Sequence, residues 1–347
     1  MGSRMKWFEC ADPNQPGVIS SRVRLARNWD QYAFPARLQQ KESMEMIRRL
    51  EYGLRDLGSL DGKHYEYAYL DELSELDRKA LRERRVLNST IAAKKTPTGI
   101  IISEEEDTSI VLNGTDHIRL QLMAPGLHLE ELWKRGDQID DYMNARFSYA
   151  FDEKYGYLTS FPTNVGTAMR ASVVLHLPTL SLGKKFNGLV TEMGRFGASV
   201  KGVYGEGSEN YGALYEVSNQ KTLGLTEKEI IDLVNRVAMQ LLTQEKKVRA
   251  LAKEKHGLES ADEAYKSYGV LKYARRLSAK DAMTFLSQLM RGITDGILET
   301  KEPCSVYRLM LGIQPANLQK VSDRPLGKEE LDAARAAYIR CELPELK

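Results

Sequence analysis

The sequence predicts an α+β fold, an antiparallel β-sheet flanked by helices and followed by a helical C-terminal domain. Three observations carry this. Between residues 98 and 123 three strand-like runs follow one another with only short turns between them, which favours an antiparallel meander. Residues 39–57 place Met44, Ile47, Leu50 and Leu54 at three- and four-residue spacing, one face of an amphipathic helix. From Thr226 onward helical patterning dominates to the end of the chain. A length of 347 residues is enough for two domains with sizeable cores, and 42% hydrophobic with 28% charged residues is ordinary for a folded globular chain.

Residues 1–17 read as an irregular lead-in broken by Pro13 and Pro16-Gly17, and Met1-Gly-Ser-Arg resembles a cloning remnant before Met5. Val18–Leu25 begins the first strand, with Arg22 and Arg24 on one side and Val23 and Leu25 on the other. Tyr65–Leu70 suggests a short strand, and Ser74 to about Arg85 a packing helix. The three strands of the meander are Thr98–Ser103, Thr108–Leu112 and His117–Met123. Glu104-Glu105-Glu106-Asp107 joins the first two as a solvated acidic turn without metal-ligand spacing, and Asn113-Gly114 marks the second turn. A helix over 129–145 leads to a loop rich in turn residues, Phe161-Pro-Thr-Asn-Val-Gly-Thr167, and then to a strand over 170–176. Residues 182–196 read as helix. Val200–Tyr204 and Ala213–Ser218 read as a strand pair around Gly205-Glu206-Gly207-Ser208-Glu209, whose glycines let Glu206 approach a substrate closely. Thr226, with Glu229 three residues on, caps a long helix that is expected to end at Lys253–Gly257. A boundary near 255 therefore divides a sheet domain, 18–255, from a helical one, 256–347.

Net charge narrows the function classes. At +2 the chain is nearly balanced, so any arginine cluster is local, which argues against a broad nucleic-acid face and for a compact anion site. Cys10, Cys304 and Cys341 are odd in number and far apart, which suggests neither a disulfide framework nor a zinc site. No run of eighteen apolar residues and no apolar signal core is present, so a cytoplasmic protein without a membrane role is expected.

Arginines recur at period-two spacing in strand-like runs, in Ser20-Ser21-Arg22-Val23-Arg24, in Asp116-His117-Ile118-Arg119 and at Arg170 behind the 161–167 loop. Cations converging on one sheet face, with a loop able to present backbone N–H groups, suit a polyphosphate. These same stretches carry a resemblance. Ser-Ser-Arg-Val-Arg-Leu-Ala-Arg (20–27), Asn-Gly-Thr-Asp-His-Ile-Arg-Leu-Gln (113–121), Pro-Thr-Asn-Val-Gly-Thr (162–167) with Arg170-Ala-Ser, and Gly-Val-Tyr-Gly-Glu-Gly-Ser-Glu (202–209) resemble the ATP:guanido phosphotransferases, or phosphagen kinases. Within them the chain is most similar to the bacterial McsB-type protein-arginine kinases, from about Val18 to the C-terminus.

The resemblance implies transfer of the ATP γ-phosphoryl group to a protein arginine, with Mg²⁺ held through the phosphates. It places Arg22, Arg24, Arg119, Arg170 and Lys201 at nucleotide-binding positions, Lys201 standing where an arginine is expected, and Glu206 at a substrate carboxylate. It also implies departures. Thr115 occupies the second carboxylate's position, Phe161 that of a cysteine, and Val86 that of a nucleotide-contacting histidine. Threonine accepts no guanidinium proton and phenylalanine has no thiolate. His117 reads as structural. In the C-terminal Arg-Asp-x-x-Arg-Ala motif of the family, which binds phosphoarginine, the first arginine is Leu331, while Asp332 and Arg335 remain on one helix face, either as a weakened reader or as a solvated ion pair. Implied partners are ATP, protein substrates or phosphoarginine-bearing proteins, a stress-response adaptor with the Clp protease machinery, and a second copy in a homodimer. Two readings stay open. One is a divergent kinase in which Asp116 or Glu209 compensates for the lost carboxylate, and the other is a pseudokinase adaptor that binds nucleotide or phosphoarginine proteins without turnover.

Overall fold

A computed structural model of the chain describes residues 5–205 and 210–347. In chain order the elements are β1 (Val18–Arg27), α1 (Gln40–Leu54), α2 (Gly58–Asp61), β2 (Tyr65–Tyr69), α3 (Glu75–Glu83), α4 (Ser89–Ala92), β3 (Gly99–Ser103), β4 (Thr108–Leu112), β5 (Ile118–Pro125) and α5 (Leu129–Asn144). They continue with β6 (Phe151–Asp152), β7 (Gly156–Tyr157), β8 (Met169–His176), α6 (Phe186–Arg195), β9 (Ala198–Gly202), β10 (Leu214–Asn219), α7 (Glu227–Tyr273), α8 (Ala279–Thr294), α9 (Val306–Gly312), α10 (Pro315–Lys320) and α11 (Lys328–Glu342). Among the described residues eight strands form one sheet in the order β2-β3-β4-β5-β1-β8-β10-β9. Every pairing within it is antiparallel. The β3–β5 part is the meander read from the turns, and β2 extends it at the edge.

Alternation along β1 decides what each face of the sheet becomes. Val23 and Leu25 are fully buried under α1, α5 and α7, in a core that includes Leu50, Leu54, Leu132, Ile230, Val234 and Leu241. α5 lies close on this face because Gly136 has no side chain, and a Cβ there would come within 3.3 Å of Leu122. Arg27 shares this inner face, where it pairs with Asp140 of α5 (Nη2 to Oδ2, 2.7 Å) and stacks on Tyr157. The other face is covered in two separate patches. Met123, Val174 and Leu214 meet the C-terminal helices together with Trp7 and Phe8 of the lead-in. Ile100 and Val111 meet Leu81, Val86, Leu87 and Ile91 around α3 and α4. Between these patches runs a polar strip.

The helix starting at Thr226 has its capping box, with Glu229 N–H donating to Thr226 Oγ1 (3.2 Å) and Thr226 N–H to Glu229 Oε2 (2.8 Å). It breaks at His256 (φ −136°, ψ 38°), within the 253–257 stretch expected to end it, and a second helical segment follows directly to Tyr273, because Ala264, Tyr268 and Leu271 have α8 and the C-terminal core to bury against. One expectation changes, because the acidic turn is not solvated. Glu106 is buried against Lys6 and Arg84 (2.9 Å), and Asp107 is paired with Lys63 and with Arg135 (3.2 Å). Cations from four separate segments replace the water that a local reading assigns to this turn. Among the described residues no helix is long and apolar enough to cross a membrane.

Candidate functional site

The polar strip opens into a cavity of about 800 Å³, and Arg22, Arg24, Arg119 and Lys201 all line it. Strand register brings them together. Arg24 of β1 lies across from Gln121 of β5 and from Arg170 of β8, while Arg22 lies across from Ser172. Lys201 of β9 lies across from Glu216 of β10. Arg170 stands just outside the lining, with Nη2 donating to the Asn219 carbonyl (3.2 Å).

Two lining residues escaped the sequence reading. Glu216 accepts from Arg22 Nη2 (3.0 and 3.1 Å to its two oxygens) and is also ion-paired with Arg85. Arg85 enters the cavity from a left-handed backbone (φ 66°), held by Gln121 Nε2 donating to the Arg85 carbonyl (2.9 Å) and Arg119 Nη2 to the Val86 carbonyl (3.1 Å). Val86, which stands where the family has a nucleotide-contacting histidine, is buried in the α3–α4 apolar patch, and its neighbour Arg85 lines the cavity. The available signals were faint. Glu216 is a carboxylate on the strand face opposite Val217, and Arg85 closes a basic run at a helix end, which locally reads as a solvated C-terminus.

The electrostatics are those of a site short of negative charge. Burial, followed by repulsion from Arg22, Arg119 and Arg170, pulls the Arg24 guanidinium down to about 9. Burial and Arg22 pull Arg119 down to about 10. Burial raises the Glu216 carboxyl, but Arg22 and Arg85 overcome this and hold it at about 2. Among the described residues the Arg24 side chain has no hydrogen-bond or ion-pair partner, whereas the other lining carboxylate, Glu83, accepts from the Ala316 and Asn317 N–H groups (2.9 Å each). Partly buried, mutually repelling guanidinium groups, balanced among the described residues by Glu216, gain from any multivalent anion that enters.

A second corner lies at the end of the sheet. Asp116 Oδ1 accepts from Asn28 Nδ2 (2.8 Å) and from Ser160 N–H (2.7 Å), so the next residues along each segment, Thr115 and Phe161, flank one shared carboxylate. Phe161 is exposed, and neither residue lines the arginine cavity. Asp116 itself is buried and satisfied, which removes it as a free replacement for a missing carboxylate. Close by, Lys94 Nζ donates to the carbonyls of Asn113 and Gly114, and burial lowers its ammonium to about 8. His117 takes the Trp29 N–H on Nδ1 (3.0 Å) and is structural. Glu206 and Glu209 lie outside the described residues.

The 162–167 loop does not line the cavity either. Thr222 Oγ1 donates to the carbonyls of Thr163 (3.1 Å) and Val165 (2.7 Å), and Gly166 (φ 113°) is wedged where a Cβ would meet the Thr222 carbonyl at 2.5 Å. The loop is a tie between segments, not a phosphate cradle beside Arg170. In the C-terminal helix Asp332 and Arg335 do share a face, with Nη1 donating to Oδ1 at 2.6 Å. The pair is not solvated, however. Arg335 is buried, and its Nε and Nη1 also serve the carbonyls of Ile313 (3.2 Å) and Leu277 (2.8 Å).

Comparison with known proteins places these features in context. Residues 48–248 match the family described as ATP:guanido phosphotransferase, C-terminal catalytic domain, and residues 258–347 match the protein-arginine kinase McsB C-terminal domain. The chain is 38% identical over 338 residues to the protein-arginine kinase of Halothermothrix orenii, covering 97% of this chain and 96% of that protein. It is 39% identical over 345 residues to that of Desulforamulus reducens, covering 98% and 96%. Among solved structures a lombricine kinase superposes with a TM-score of 0.60 at 23% identity, over 72% of this chain and 70% of that one. The duplicated taurocyamine kinase of Schistosoma mansoni superposes with a TM-score of 0.57 at 24% identity, over 95% of this chain and 44% of that one. These two similarities concern the fold.

Proposed function

The chain belongs to the ATP:guanido phosphotransferases, in the protein-arginine kinase branch, and from that premise we propose that it transfers the γ-phosphoryl group of ATP to protein arginines through an impaired acceptor site. The observation that carries the nucleotide half is the convergence of Arg22, Arg24 and Arg119 with Lys201 in one cavity. There the guanidinium groups bind and orient the phosphate oxygens and exclude water, and their charge offsets what develops on the transferred group. A Mg²⁺ ion carried on the phosphates supplies further charge neutralisation. Arg85 joins the set by exchanging Glu216 for phosphate. Arg170, beside Arg24, adds to the field without lining the cavity.

The acceptor half rests on Glu206, assigned from the family pattern as the carboxylate that orients the arginine and takes its proton. Thr115 and Phe161 mark the missing partners, and the Lys94 ammonium nearby disfavours a second cation. A second reading, a nucleotide- or phosphoarginine-binding adaptor without turnover, is favoured by this corner alone. Incubation with Mg-ATP and an arginine-rich protein, followed by intact-mass and phosphorus NMR analysis, separates the two. Phosphoarginine that disappears in Glu206→Gln supports the kinase, and nucleotide binding without product supports the adaptor. We also place the division between catalytic and helical parts near 255, at the helix break.

A further inference from the structure

On the α1 side of the sheet lies another cavity, of about 1020 Å³, that the phosphotransfer reading does not use. Its lining carries four cations, Lys41, Arg48, Arg49 and Arg146, against one carboxylate, Glu45. Among the described residues none of the four cations is ion-paired, whereas Lys63, Arg84, Arg135 and Lys320 all have carboxylate partners. Its walls are apolar as well. Phe147 lies against the backbone of α1 because Gly53 has no side chain, and a Cβ there would come within 2.4 Å of the ring. Tyr52 remains 67% exposed on the rim. Arg49 stacks on Trp29, with its guanidinium carbon 4.7 Å from the ring centroid.

The groove adjoins the acceptor corner through two consecutive residues. Trp29 is part of its wall and donates its backbone N–H to His117, and Asn28 before it bonds Asp116 between Thr115 and Phe161. A polypeptide whose arginine reaches that corner can lay its neighbouring residues along α1. We propose that this groove is the docking site for an acidic, partly apolar segment of the protein substrate, a reading that rests on a protein acceptor. Cations without a carboxylate partner, over an apolar floor, select carboxylates interspersed with hydrophobic side chains. The exposed tyrosine is the type of residue that anchors such contacts. A nucleic acid fits less well, because Glu45 sits among the cations and the chain as a whole is nearly neutral.

The test uses the full chain and a dye-labelled octapeptide of glutamates and leucines, followed by fluorescence anisotropy, with a lysine–leucine octapeptide and a single-stranded oligonucleotide as comparison probes. Saturable, salt-sensitive binding of the acidic peptide is expected, weakened about tenfold or more by Arg48→Glu with Arg146→Glu. Lys41→Glu, also at an exposed site, is expected to weaken it in the same direction, and thermal melting confirms that the variants fold. Equal binding of the acidic peptide by parent and variants, preferential binding of the oligonucleotide, or a concentration-dependent dimer abolished by the same substitutions would each overturn the proposal. Phosphoarginine formation is measured separately on the same samples. Peptide binding without transfer refutes the kinase reading and leaves the groove standing, whereas transfer without peptide binding does the reverse.

Discussion

Glu216→Gln tests how the arginine cavity is balanced. The parent carboxylate is held at about 2 against an ordinary 4.5, so the surrounding cations favour its ionised form by about 3 kcal/mol. Glutamine keeps the shape and removes the charge, leaving Arg22 and Arg85 partly buried without a counter-ion among the described residues. The unliganded variant is therefore expected to lose about 3 kcal/mol in chemical denaturation at neutral pH, in line with other broken buried pairs. Mg-ADP binding should move the other way, because the phosphates no longer compete with a carboxylate. If affinity rises about tenfold, ligand well above both dissociation constants returns about 1.4 kcal/mol more to the variant than to the parent. Acid titration of the parent provides a third reading. The folded-state value is depressed, so this contribution is present above 4.5 and is lost as pH falls from 4.5 through about 2. An unliganded variant as stable as the parent, or equal stabilisation of the two by Mg-ADP, would refute the assignment of Glu216 as the internal counter-ion of a phosphate site.

Other outcomes follow from the same structure. His176, buried against Ser287 Oγ (2.8 Å), is pushed down to about 3 by burial first and then by Arg249 and Arg291. Unfolding releases it to titrate near 6.5, so stability should fall as pH drops from 6.5 toward 3, and His176→Gln should flatten that slope in pH-dependent melting. Gly166→Ala should cost on the order of 1–3 kcal/mol in denaturation, because a φ of 113° and the nearby Thr222 carbonyl both resist a Cβ. Thr115→Glu with Phe161→Cys should raise arginine phosphorylation by about 10²-fold or more if the missing groups act as acid–base partners. No gain in phosphoarginine from a well-folded double variant would show that the acceptor corner is not what limits turnover.

Much of the scaffold was legible because its signals are local. Period-two alternation in 18–25 put Arg22 and Arg24 on one face and Val23 and Leu25 on the other. Short turns announced the 98–123 meander, and Thr226 with Glu229 announced the start of α7. Local pattern assigns a side chain to a face, but it does not say which distant side chain lies opposite. That is decided by register between strands far apart in sequence, as when β1 inserts between β5 and β8, and β10 brings Glu216 to Arg22 across 194 residues. The acidic turn looked solvated until Lys6, Lys63, Arg84 and Arg135 arrived from other segments. Arg335 was open to two readings, a phosphoarginine contact or a solvated ion pair, and the carbonyls of Leu277 and Ile313 close over it. In each case the sequence specified the charge and the fold supplied its counter-charge or hydrogen-bond partner, because burial removes the water that would otherwise have served every such group alike.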